Sequence, residues 1–142
     1  MKRLFSGVAA LTLLLLAACG APAQQDTATA DQTESGASEA YHKIDAEQAK
    51  KMIDEGGVTI VDVRTEEEYN AEHIPDSILV PNESIGDEAP EALPDKDAVL
   101  LVHCRTGVRS KQASDKLVEL GYQNVYDFGG IADWPYDTVS EE

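Results

Sequence analysis

Between Val99 and Leu120 the chain writes a single strand–turn–helix unit, and that unit limits the fold more than any other stretch. Val99-Leu100-Leu101-Val102 is apolar without interruption. A half-exposed strand would alternate; an unbroken run fits a central parallel strand covered on both faces. Cys104 to Gly107 then reads as a tight turn. A helix follows from about Arg109 to Leu120, with Ala113, Leu117 and Leu120 on one face and Gly121 as its C-terminal stop. The rest of the chain repeats this alternation. Asp45 and Gln48 have capping-box spacing for a helix that Gly56-Gly57 ends, and Val58 to Val63 reads as a strand. Thr65 and Glu68 repeat the box for a short helix through Tyr69. Ile78-Leu79-Val80 is a brief strand, Ser84 to Leu93 a weak helix interrupted by Pro90, and Asn124 to Phe128 a last strand broken by Gly129-Gly130. Such alternation predicts an α/β domain with a mainly parallel central sheet flanked by helices. Right-handed crossovers place the strand-to-helix loops along the carboxyl edge of the sheet, where ligands bind.

The 142 residues leave room for one domain of this kind, assigned to residues 41–142. The N-terminus reads as an address. Lys2 and Arg3 precede an apolar run from Leu4 to Ala18, shorter than the ~20 residues of a comfortable span. The run ends in Leu16-Ala17-Ala18-Cys19-Gly20, which resembles the lipobox of bacterial lipoproteins. That resemblance implies a signal peptide over 1–18, lipidation of Cys19, and an extracytoplasmic protein anchored to a bacterial membrane, at the cell surface or in the periplasm. Cleavage after Ala23 and an uncleaved anchor are the competing readings. Processing removes two positive charges and takes the net charge from −16 to −18. Residues 19–40 carry the lipid cysteine and then Ala, Gln, Thr, Ser, Gly and acids, a composition that reads as a disordered acidic linker. The acidity and the absence of a basic stripe speak against a nucleic-acid partner. With Cys19 and Cys104 as the only cysteines, no disulfide framework is expected.

The segment Cys104-Arg105-Thr106-Gly107-Val108-Arg109-Ser110 joins the strongest strand to the strongest helix. Backbone N–H groups of such a turn converge inward, and the helix N-terminus adds positive potential. Gly107 permits a backbone that a Cβ would resist. Arg105 and Arg109 add two cations nearby. All these favour thiolate over thiol at Cys104.

Four motifs then resemble the single-domain rhodaneses over about Tyr41 to Thr138. They are Val61-Asp62-Val63-Arg64 with Glu67-Glu68-Tyr69, then His73-Ile74-Pro75, the Cys104 turn, and Gly129-Gly130-Ile131 with Trp134. The resemblance implies a three-layer rhodanese-like fold and a sulfurtransferase in which Cys104 is nucleophile and persulfide carrier. Arg105, Thr106, Gly107, Val108 and Arg109 would bind the transferred sulfur and the donor's oxyanion. The implied partners are a small sulfur-donor anion such as thiosulfate and a thiol or cyanide acceptor, with the protein a monomer. Cysteine phosphatases of related fold place five residues between cysteine and arginine; here four separate Cys104 from Arg109, which argues against phosphatase or arsenate chemistry.

The remaining polar residues read as structural. Asp62 and Arg64 are expected to pair beneath the loops, and His103 should face away from Cys104, because neighbours on a strand point to opposite faces. His73 is a packing and hydrogen-bonding residue before Pro75. Gly129-Gly130 and Trp134 fix the last turn and cover the core, with the site entrance as the alternative place for Trp134. Glu72 and Asp76 stand where the rhodaneses commonly have glycine, and a helix after Trp134 is expected to be marginal. No metal or organic cofactor is implied, since no His/Cys/Asp cluster has ligand spacing. A non-enzymatic alternative uses Cys104 in a tethered thiol-redox or partner-binding module.

Overall fold

The structure is a computed structural model that describes residues 37–141. The signal peptide, Cys19 and nearly all of the linker lie outside the described residues. Within them a helical turn, α1 (Ala37–Ala40), runs directly into strand β1 (Tyr41–Lys43). Ala40, one residue before the expected boundary at Tyr41, is buried.

The further elements are α2 (Ala46–Glu55), β2 (Val58–Asp62), α3 (Glu66–Ala71), β3 (Ile78–Leu79), β4 (Val99–Cys104), α4 (Val108–Glu119) and β5 (Asn124–Gly130), with 3-10 turns at Asn82–Ser84 and Ile131–Asp133. All five strands are parallel, in the order β1-β5-β4-β2-β3. The continuous apolar strand β4 is therefore central, and it is buried on both faces from Leu100 to Cys104. Leu100, Val102 and Cys104 face a core built with Ala113 and Leu117 of α4 and with Tyr122. Leu101 faces a second core with Ala49 of α2, Ile74, Phe128 and Trp134. Each fully buried Leu or Val contributes about 1.5–3 kcal/mol. This is a three-layer α/β domain.

Both predicted capping boxes form. Asp45 accepts from the Gln48 N–H while Gln48 accepts from the Asp45 N–H, and Thr65 and Glu68 do the same for α3. The helix expected over 84–93 does not form. Only the 3-10 turn precedes it, and Leu93 is placed by a turn bond to the Pro90 carbonyl and by the Tyr122 hydroxyl on its own carbonyl. Proline has no N–H to give a helix and restricts the residue before it, which is enough to defeat a stretch with weak helical pattern.

Gly129-Gly130 does not break β5 either. The strand continues to Gly130 through a bulge: Asp127 pairs with Val102, Gly129 with His103 and Gly130 with Cys104, leaving Phe128 as the extra residue. The bulge re-aims the strand end without ending its pairing. Asp76 adopts φ 63, the left-handed region that glycine takes without strain. Aspartate is among the residues that tolerate it. After Gly130 the chain makes the second 3-10 turn and returns to pair Val139 with His73 in an isolated antiparallel bridge.

Candidate active site

The carboxyl ends of β2, β4 and β5 meet around the turn that leaves Cys104. Cys104 is 1% exposed and sits at the bottom of that turn. Gly107 takes φ 101, and its N–H donates to the Cys104 Sγ at 3.0 Å. The Arg105 carbonyl is turned outward to accept the Ala132 N–H at 3.2 Å, so the turn keeps its acceptor away from the sulfur. Burial pushes the Cys104 thiol up, but the amides of Ser110, Gly107 and Thr106 and the Ser110 hydroxyl outweigh it and leave the thiol below its ordinary value. The predicted inward amides are in place.

The predicted cations are not placed as the sequence implied. Arg109 gives both Nη groups to Glu68, at 2.7 and 2.9 Å, in a forked ion pair. Glu68 already closes the capping box on Thr65, so one carboxylate ties the end of the cysteine turn to the start of α3. That arginine raises no net positive charge over the sulfur. Arg105 is exposed and forms no ion pair among the described residues; Thr106 and Val108 are exposed, and Gly107 is half-buried. Thiolate stabilisation thus comes from backbone amides and the Ser110 hydroxyl rather than from a positive hollow of cationic side chains.

Asp62 and Arg64 pair as the spacing implied. The Arg64 Nη2 lies 2.6 Å from Asp62 Oδ2, its Nε also donates to that carboxylate, and Nη2 reaches the Glu72 carbonyl. Both side chains are almost fully buried. His103 lies on the opposite face of β4 from Cys104, tilted against Phe128 with ring centroids 5.1 Å apart. Burial lowers its pKa, more than the nearby Asp62 raises it. His73 donates its Nδ1–H to the Tyr69 carbonyl at 2.8 Å and stacks on the Tyr69 ring. Trp134 packs on Phe128 and Tyr136 and lines a cleft with Ile53, Ile74 and Pro75, apart from the cysteine turn.

One support, Asp127, was not singled out from the sequence, and a second, Gly130, was read there only as a strand end that fixes the last turn. Asp127 is buried and holds the Ser110 hydroxyl at 2.8 Å, the Gly129 N–H at 2.9 Å and the Tyr41 hydroxyl at 3.1 Å, with Lys43 at 3.3 Å. It thereby fixes both the first turn of α4 and the bulge opposite the cysteine. Gly130 is needed for space. A Cβ there would lie 2.2 Å from the Arg105 carbonyl oxygen and 2.8 Å from the Thr106 Cα. The only available signal was the Gly-Gly pair itself, which reads more readily as a strand end. Among the described residues no group of three His, Cys, Asp or Glu side chains could hold a metal ion.

A parallel α/β sheet that presents one buried cysteine in an amide-lined turn at its carboxyl edge defines a class of thiolate protein. The chain belongs to the rhodanese family: the rhodanese-like domain matches residues 45–136. It is 37% identical to the thiosulfate sulfurtransferase PspE of Escherichia coli (strain K12) over 73 residues, 51% of this chain and 70% of that protein. It is 32% identical to the tRNA uridine(34) hydroxylase of Yersinia pestis (strain Pestoides F) over 98 residues, 66% of this chain but 28% of the hydroxylase. The chain therefore spans little more than a quarter of such hydroxylases. Among solved structures, a rhodanese-like domain protein from Staphylococcus aureus aligns with TM-score 0.63 and 29% identity over 71% of this chain and 99% of that one. A rhodanese with anions from E. coli aligns with TM-score 0.51 and 34% identity, covering 58% and 96%.

Proposed function

We propose that the chain is a sulfurtransferase that carries sulfane sulfur on Cys104. The Cys104 thiolate attacks the outer sulfur of a donor such as thiosulfate, the S–S bond of the donor breaks, and sulfite leaves with the bonding pair. The enzyme is left as a persulfide anion. A cyanide ion or thiolate then attacks the outer sulfur, and thiocyanate or a new persulfide departs as the Cys104 thiolate is restored. No proton, electron or cofactor is consumed in the cyanide reaction. The observation that carries this reading is the Gly107 N–H on the Cys104 Sγ, inside a turn whose amides lower the thiol's pKa. Hydrogen bonds to an anion favour it wherever it sits, so the same amides serve thiolate and persulfide alike.

The test is thiocyanate formation from thiosulfate and cyanide by the full chain, wild type against Cys104→Ala. Turnover surviving in the variant would refute the assignment. Mass spectrometry after thiosulfate treatment separates the other use of the thiol: a gain of one sulfur atom on Cys104 supports carriage, whereas a mixed disulfide supports a redox module. The likeness of the segment around Cys19 to a lipobox supports membrane tethering outside the cytoplasm. Cys19→Ser should release the protein from membranes, and unchanged retention would end that reading.

A further inference from the structure

The cleft beside the cysteine turn, of about 320 Å³, is lined by Arg64, Glu68, Glu72 and Arg105 over an apolar floor. With the partners that two of these hold, three guanidiniums (Arg64, Arg105, Arg109) stand against three carboxylates (Asp62, Glu68, Glu72). The Glu72 carboxylate accepts from the Thr138 hydroxyl and pairs with no cation among the described residues. Arg109 is near enough to feel the Cys104 charge, and also that of Glu83. Among the described residues of the cleft, the one cation in no ion pair is Arg105, and by charge count Glu72 offsets it.

We propose that Glu68 sets the donor preference of the site: by occupying both Nη groups of Arg109 it leaves the cleft without net positive charge, and so disfavours dianionic sulfur donors relative to singly charged ones. The inference rests on the sulfurtransferase reading and names the donor class within it. A donor that brings two negative charges to a thiolate in an uncharged cleft meets repulsion that a monoanion meets at half strength. Coulomb energy scales with donor charge, so removing the Glu68 charge raises the logarithm of the rate in proportion to the charge a donor carries.

The informative variant is Glu68→Gln. Glutamine serves at this capping-box position as well as glutamate, so α3 keeps its start. Donors are thiosulfate, a dianion, and benzenethiosulfonate, a monoanion, with cyanide as acceptor and the full chain as enzyme. The expected gain in kcat/KM is about threefold per unit of donor charge, so roughly tenfold for thiosulfate and threefold for benzenethiosulfonate, both shrinking toward unity at 1 M salt. Equal changes for both donors, or a fall in both, would show Glu68 to be a brace only and overturn the proposal. A second readout needs no sulfur transfer: alkylation of Cys104 by iodoacetate, an anion, against neutral iodoacetamide, with the adduct located by mass spectrometry. Glu68→Gln should raise that rate ratio about threefold. An unchanged ratio overturns the proposal. A raised ratio in a chain that forms no thiocyanate supports the charge assignment and sinks the sulfurtransferase reading instead.

Discussion

The inside and the outside of the turn from Cys104 to Arg109 are built from different materials. Inside, the sulfur meets the amides of Thr106, Gly107 and Ser110 and the Ser110 hydroxyl, all uncharged. Outside, the turn is held by ion pairs: Arg109 on Glu68, and Asp127 with Lys43 behind the first turn of α4. Arg64 on Asp62 braces the neighbouring strand end. Fixed backbone dipoles stabilise an anion without giving it a counter-ion to dissociate from before it can react. Paired side chains outside offer the sulfur no strong counter-ion because their charges already cancel. The comparison teaches that chemistry here depends on backbone shape, while charged residues hold that shape and screen what approaches it.

The sharpest way to break this division is Gly130→Ala. The added Cβ would press on the Arg105 carbonyl and the Thr106 Cα, both backbone, so the turn itself must move. We expect a loss of thiocyanate formation above about 100-fold and a destabilisation of about 3 kcal/mol, measured by steady-state rate and urea unfolding. Near-wild-type turnover would mean the amide cradle tolerates displacement, and the inside would lose its special status. Asp62→Ala attacks the outside. It leaves the Arg64 guanidinium buried with the Glu72 backbone carbonyl as its remaining hydrogen-bond partner among the described residues. The expected cost is about 3–5 kcal/mol in urea unfolding, with turnover per folded molecule falling far less than in Gly130→Ala.

How much of this could be read from the sequence follows the range of each interaction. The capping boxes at Asp45 and Thr65, the Asp62–Arg64 pair and the strand–turn–helix around Cys104 are local, and spacing alone announces them. Strand β1 has only three residues, too few for a pattern, and is made a strand by pairing with β5. The Arg109–Glu68 fork spans 41 positions, and the Ser110–Asp127 bond 17. No periodicity links such partners, so Arg109 read as a free cation for the sulfur when the fold had already assigned it. Gly130 was misread for the same reason: its constraint comes from the Arg105 backbone across the β4–β5 pairing, not from its neighbours.

The outer clamp also has a pH signature. Its hydrogen bonds from Arg109, against the opposing effect of burial, bring the Glu68 carboxyl down to about 2. A carboxyl whose folded value is depressed contributes stability above its ordinary value near 4.5, and that contribution is lost as pH falls through about 2. The pair is partly exposed, so solvent screening reduces the contribution to about 1 kcal/mol. Wild type and Glu68→Gln should therefore differ by about that much in urea unfolding at pH 7 and converge near pH 2. A constant difference across that range would mean the clamp acts through packing rather than charge.

Thr106→Ala is the smallest expected effect and the finest probe of the comparison. The Thr106 side chain is exposed, while its backbone N–H is one of the groups that lower the Cys104 pKa. Alanine keeps that N–H and removes only the hydroxyl and methyl. If residue 106 gives the sulfur only its backbone N–H, the pH at which Cys104 becomes reactive toward iodoacetamide should move by no more than about 0.3 pH units. In both proteins the midpoint should stay below the ordinary thiol value of 9.0, with reactivity rising as pH increases through it. A hydrogen bond to a charged group is worth about 1.5–3 kcal/mol, or one to two pH units. A midpoint displaced that far toward 9.0 would therefore reveal a side-chain donor to the sulfur at position 106. The boundary drawn between backbone chemistry and side-chain scaffolding would then have to be moved inward.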